Sequence, residues 1–224
     1  MLSQTEENYL KTIFLILEEE KPLTISVLSS RIGVSMPTVN SMIKSLSGKD
    51  LIKYTKYKPI EVTKNGKLQA ANIIRKHRLT EMYLAEKMGF GWEEVHAIAE
   101  QMEHINSILF FDKMDELLGF PKIDPHGSPI PNKDGIITPI IYTSLAACQN
   151  GYTVNIAAIK ESSFEFLSFL NSKQLALGSV LEIIKIESYD GSIELVDKSG
   201  TKHILSKIVC EKLLVNIISG PIQD

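Results

Sequence analysis

Five of the nine prolines, Pro121, Pro125, Pro129, Pro131 and Pro139, fall between residues 120 and 150. Proline lacks a backbone N–H and fixes φ, so neither a helix interior nor a central strand runs through such a stretch. The 224 residues are therefore split into an N-terminal and a C-terminal body joined by an irregular segment. Hydrophobic periodicity changes across it. Before it, apolar residues recur at helical spacing; after Tyr152 they alternate in short β-branched runs.

The N-terminal body reads as a series of helices. Residues 5–19 place Tyr9, Ile13, Ile16 and Leu17 on one face, with acids in the first turn and Pro22 beyond the end. Thr24 can cap a second helix that Gly33 stops, and Ser35 a third with Pro37 in its first turn, running to Gly48. Two short helices joined by a turn have the outline of a helix-turn-helix. The following LIKYTKYKPIEVT reads as a small hairpin, or wing. Further helices are expected at about 64–88, 92–103 and 107–118. The C-terminal body reads as five strands, at about 152–159, 180–188, 191–197, 202–206 and 213–218, with a helix at 162–173. Asp190-Gly191 forms a hairpin turn. Five short strands in about 65 residues suggest a small, partly closed barrel.

Two cysteines, Cys148 and Cys210, far apart and outside any CxxC, exclude a disulfide scaffold and a thiolate zinc site. The apolar runs fall well short of the roughly 20 residues of a membrane span, and the first residues lack a signal-peptide pattern. The expected compartment is the cytoplasm, with no membrane partner.

Between Lys21 and Lys76, eleven Lys/Arg stand against two acids, a local +9 in a chain of net charge -3. A basic block inside an acidic protein points to a local polyanion contact. In the third helix, Ser35, Pro37, Thr38, Asn40, Ser41 and Lys44 gather toward the half of a recognition helix that enters the major groove. Asn40 can bond adenine twice, Thr38 can pack on a thymine methyl, and Ser41 can bond either kind of base. The helix N-terminus with Ser35 suits a phosphate. Lys53, Lys56 and Lys58 on the wing supply sequence-independent attraction. Winged helices also serve as protein-binding modules, and charge alone does not separate the two uses.

Three histidines lie within 28 residues beside carboxylates. His77 and Glu81 are one turn apart on the long helix; His96, Glu100, Glu103 and His104 follow at i, i+4, i+7 and i+8. Imidazole with carboxylate suits zinc, iron or manganese, and an oxygen-rich set without thiolate leans to Mn2+ or Fe2+. A solvated acidic face and a general base at Glu103 on a metal-bound water are the competing readings. The chain has no HExxH, nucleophile elbow or phosphate loop, so an enzyme is not expected.

The stretches His77-Arg78-Leu79-Thr80-Glu81, Val95-His96 through Glu103-His104, and His126-Gly127-Ser128-Pro129-Ile130-Pro131, in this order after a winged helix, carry a resemblance. The chain resembles the diphtheria toxin repressor and manganese transport regulator family over essentially its whole length, including a C-terminal domain similar to the SH3-like, FeoA-type barrel of the longer members. The resemblance implies a metal-dependent, homodimeric transcriptional repressor controlling metal-uptake genes, with double-stranded operator DNA as partner. It implies a winged helix-turn-helix domain at 1–63, a helical metal-binding and dimerisation domain at 64–122, a linker at 123–150 and the SH3-like domain at 151–224. It places a primary metal site on Asn8, Glu100, Glu103 and His104, and an ancillary site on His77, Glu81 and His96 with Glu161, or Glu165, from the C-terminal domain. Glu100 stands where the iron-type members have cysteine, which favours manganese over iron. Position 8 departs from the methionine or aspartate of relatives. Its amide oxygen can ligate without charge, with Glu7 or a backbone carbonyl as alternative donors. Lys11 stands where manganese-type members can offer a glutamate. The seam of the dimer is expected on Ser107–Leu118. The alternative is a winged-helix regulator of a small organic ligand with a structural His/Glu cluster.

Overall fold

The computed structural model describes residues 2–19, 22–55 and 58–220. The chain runs α1 (Gln4–Glu18), α2 (Ile25–Ile32), α3 (Met36–Gly48), β1 (Ile52–Lys53), β2 (Glu61–Val62), α4 (Lys64–Met88), α5 (Val95–Met102) and α6 (Ile108–Leu117). It continues with β3 (Thr143–Ser144), β4 (Thr153–Ile159), α7 (Phe164–Ser172), β5 (Val180–Ile186), β6 (Ile193–Asp197), β7 (Lys202–Leu205), α8 (Lys207–Lys212) and β8 (Leu213–Ser219). A helical N-terminal part is thus followed by a part rich in antiparallel sheet.

The helix boundaries follow from local chemistry. Ser3 and Glu6 form a capping box at the start of α1. Thr24 caps α2 by accepting from the Val27 N–H, and Gly33 ends it at φ +76°. Ser35 caps α3, whose first turn holds Pro37. β1 and β2 pair antiparallel, Ile52 opposite Val62, giving the short hairpin after the helix-turn-helix.

Contacts divide the chain into two units. One comprises residues 1–80, 99–122 and 130–138, the other 81–98, 123–129 and 139–224. The first is centred on Leu10, Ile13, Ile16, Leu28, Val39, Ile43 and Leu46, all fully buried. They interlock α1, α2 and α3 and set the pose of the helix-turn-helix. The second is centred on Leu145, Val154, Leu167, Leu170, Leu181, Ile183, Leu195 and Leu213.

Two features of the second unit differ from the sequence reading. Its sheet runs β3-β8-β4-β5-β6-β7, with β3 and β7 as edges, so strand pairing among the described residues does not close a barrel. The proline-rich stretch also contributes structure: β3 pairs with β8, and the turn after it buries Leu145 and Cys148 in the core. Prolines there mark irregular backbone but leave the apolar residues after Pro139 free to pack.

Candidate metal centre

The second unit gathers Glu81 from α4 with Asp124 and His126 from the loop before the sheet. All three are buried, and their ligand atoms lie within 4.8 Å of one another. His126 Nε2 donates to the Trp92 carbonyl at 2.8 Å, and the two rings stack with centroids 6.2 Å apart. That bond fixes the tautomer and turns Nδ1 toward Glu81 Oε2, 3.6 Å away. Asp124 Oδ1 accepts from the backbone N–H groups of His126 and Ser128, at 2.8 and 2.9 Å, which orients its carboxylate. His96 Nδ1 donates to Glu81 Oε1 at 3.1 Å. Burial works against a charged His126, but Glu81 and then Asp124 outweigh it and hold its pKa above the usual imidazole value. Two buried carboxylates facing an imidazole nitrogen need positive charge among them. The donor set, one nitrogen and carboxylate oxygens without thiolate, fits a divalent ion such as Mn2+, Fe2+ or Zn2+.

Asp124 and His126 were not among the expected ligands. In the sequence His126 stands out only within the HGSPIP stretch, and the signal that points to the pair is Asp-Pro-His itself, two donors two residues apart on a turn. Of the expected ancillary residues, Glu81 belongs to this cluster and His96 bonds it, whereas the two candidates from the C-terminal domain have other surroundings. Glu161 takes Lys212 Nζ at 2.5 Å and the Ser163 hydroxyl at 2.7 Å, and Lys212 first, then Ser163, hold its carboxyl below the usual range. Glu165 is exposed in the first turn of α7.

The residues expected at the primary site, Asn8, Glu100, Glu103 and His104, all lie in the first unit. α5 ends at Met102, so Glu103 and His104 sit on the turn beyond it and not on a continuous helical face. Lys11 Nζ stands 3.0 Å from Glu100 Oε1, 2.9 Å from Glu103 Oε2 and 2.8 Å from Glu103 Oε1. The last contact is an ion pair without hydrogen-bond geometry, which leaves that buried oxygen unsatisfied as an acceptor. His77 Nδ1 donates to Glu103 Oε2 at 2.5 Å. His104 Nδ1 donates to Glu7 Oε2 at 2.6 Å, and its Nε2 is 3.9 Å from Glu103 Oε1. Burial pushes the Glu103 carboxyl up, but His77 and Lys11 outweigh it and hold it below the usual range. Asn8 is exposed, and its carbonyl accepts from Thr12. As arranged, this group does not fit a divalent ion, because an ammonium already lies between its carboxylates.

The residues expected to read nucleic acid lie on the first unit. Ser35, Pro37, Thr38, Ser41 and Lys44 are exposed along α3, with Asn40 half-buried; Lys53 and Lys58 are exposed, and Lys56 lies outside the described residues. The three hydroxyls all have internal partners: Ser35 and Thr38 bond each other at 2.8 Å, and Ser41 donates to the Pro37 carbonyl at 3.1 Å. No helix among the described residues is long and apolar enough to cross a membrane.

The chain is similar to proteins already known. Residues 1–60 match the family model "Iron dependent repressor, N-terminal DNA binding domain", and residues 63–132 match "Iron dependent repressor, metal binding and dimerisation domain". The iron-dependent repressor IdeR of Mycobacterium tuberculosis is 34% identical over 130 residues, 58% of this chain and 56% of its own length. The chain thus spans just over half the length of that relative. The diphtheria toxin repressor of Corynebacterium diphtheriae is 26% identical over 200 residues, 89% of this chain and 87% of its own. A solved manganese-dependent transcriptional repressor in complex with manganese superposes with a TM-score of 0.86 at 31% identity, covering 95% of this chain and 99% of that one. These relatives are named as repressors, not enzymes. On that likeness the chain belongs to the diphtheria toxin repressor and manganese transport regulator family of metal-dependent repressors.

Proposed function

We propose that this protein is a metal-dependent, homodimeric repressor that binds operator DNA upstream of metal-uptake genes in the cytoplasm. The observation that carries the metal requirement is the buried Glu81–Asp124–His126 cluster, oriented by Trp92 and backbone N–H groups. Manganese is the preferred ion and ferrous iron the second, on the oxygen-rich donor set without thiolate. Bound there, the ion would add positive charge beside two buried carboxylates.

The reader is α3. Its N-terminus and Ser35 suit a phosphate oxygen, Asn40, Thr38 and Ser41 suit base edges, and Lys44, Lys53, Lys56 and Lys58 supply attraction independent of sequence. Two copies read half-sites about 34 Å apart, one turn of DNA. The seam of the dimer is the exposed apolar face of α6, where Ile108 is 82% and Leu109 70% exposed. The reading favours a division into a DNA-binding domain at 1–63, a metal-binding and dimerisation domain at 64–122, a linker at 123–150 and a C-terminal domain at 151–224.

The test is duplex binding to DNA upstream of a metal-uptake gene, titrated with Mn2+, Fe2+ and Zn2+. Binding is expected to fall at least tenfold on chelation and to resist restoration by metal in His126→Ala. Equal affinity with and without chelator would reject metal dependence.

A further inference from the structure

We propose that the Lys11 ammonium is the resident cation between Glu100 and Glu103, joining α1 to the end of α5 in place of a divalent ion. The inference rests on the reading above only in taking divalent metal to be this chain's effector.

Nζ lies within 3.0 Å of carboxylate oxygens from both glutamates. A divalent ion reaching the same oxygens would stand only a few ångströms from the ammonium, and at that separation repulsion is strong wherever water is scarce. Water is scarce here: the Glu103 side chain is 0% exposed and that of Lys11 11%. Retracting the lysine would leave Glu103 buried without its ammonium, the costly way to break such a pair.

The remaining groups are committed in the same sense. Glu103 Oε2 also accepts from His77, so it orients that imidazole. Glu7 accepts from His104, a second tie between α1 and the turn after α5. Lys76 Nζ donates to the Glu103 carbonyl at 3.1 Å and fixes the backbone of that turn. Asn8, the remaining candidate donor on α1, is exposed and uncharged. The junction between the helix-turn-helix and the turn after α5 is therefore closed by side chains alone. Metal dependence then belongs to the Glu81–Asp124–His126 group.

The experiment counts Mn2+ bound to the full-length chain by equilibrium dialysis and metal analysis, with thermal melts beside it. The wild type is expected to hold one ion per chain. Lys11→Met, which keeps the stem and removes the charge, is expected to hold one more, and its melting temperature to become more sensitive to Mn2+. Lys11→Arg should keep the wild-type count. Glu100→Gln, at a side chain 52% exposed and so tolerant of change, should also leave the count unchanged. A folded Lys11→Met that gains no ion, or a Glu100→Gln that loses one, overturns the proposal. Should Lys11→Met fail to fold, Glu100→Gln decides alone. The parent reading fails separately: a wild type with no ion beside a Lys11→Met with one would refute the Glu81–Asp124–His126 assignment and leave the Lys11 inference standing.

Discussion

Glu6 joins the start of α1 to the end of α3. Its carboxylate accepts from the Ser3 N–H at 2.9 Å, from Lys49 Nζ at 2.7 Å and from Ser45 at 3.1 Å. Lys49, then the Ser3 backbone, hold its pKa down at about 2 against an ordinary 4.5. A carboxyl depressed by folding adds stability above its unfolded pKa, and that contribution is lost as pH falls from 4.5 through about 2. Glu6→Gln is expected to lower stability at pH 7 by roughly 1–2 kcal/mol, since Lys49 is partly solvated. Urea melts should show the difference from wild type shrinking across that window. Cys210 lies at the other extreme: burial pushes its thiol up to about 12. The native protein should leave Cys210 unalkylated by iodoacetamide at pH 8.5, where a solvated thiol reacts, and mass spectrometry after unfolding should find it modified. Capping residues were legible in the sequence because a cap acts within three residues of itself. Glu6–Lys49 was not, because 43 residues separate the partners.

Among elements, the loop that carries Asp124 and His126 depends on a single glycine. Gly127 sits at φ +84°, and a Cβ there would come within 2.3 Å of the Ala157 carbonyl oxygen and 2.5 Å of the Ala158 Cβ. The loop is held on β4 by the Ile159 N–H, which donates to the His126 carbonyl at 3.0 Å. Gly127→Ala is expected to force loop and strand apart and weaken Mn2+ binding about 10- to 100-fold, the usual effect of disturbing the support of a metal site. Calorimetric titration checks this, with circular dichroism confirming that the helices persist. α5 illustrates the limit of periodicity. The spacing predicts one helical face from His96 to His104, yet the helix stops at Met102. Glu103 still donates its N–H to the Ala99 carbonyl, but Ile105 closes a tighter turn on Met102, and the chain then begins α6. Apolar spacing does not register where a last turn tightens.

For the whole molecule, two expectations follow from surface and linkage. An α6 face with Ile108 and Leu109 this exposed is costly to leave in water. Leu109→Glu is expected to turn a dimer into a monomer in sedimentation velocity and to weaken operator binding with it. A dimeric Leu109→Glu would move the seam elsewhere. Metal that binds only the folded chain must stabilise it, by about 2.7 kcal/mol at a hundred times the dissociation constant. Chelation should therefore lower the melting temperature of the wild type and have little effect on His126→Ala.

The sequence by itself determined the helix-turn-helix with its caps, the basic block between Lys21 and Lys76, the change from helical to strand periodicity and the family, because each is written in neighbouring residues or in motifs of fixed spacing. Tertiary structure alone decided which charged groups meet. Lys11 is 89 residues from Glu100, and Glu81 is 45 residues before His126. Whether a carboxylate faces a metal, an imidazole or an ammonium depends on where packing aims it, and local periodicity carries no record of that.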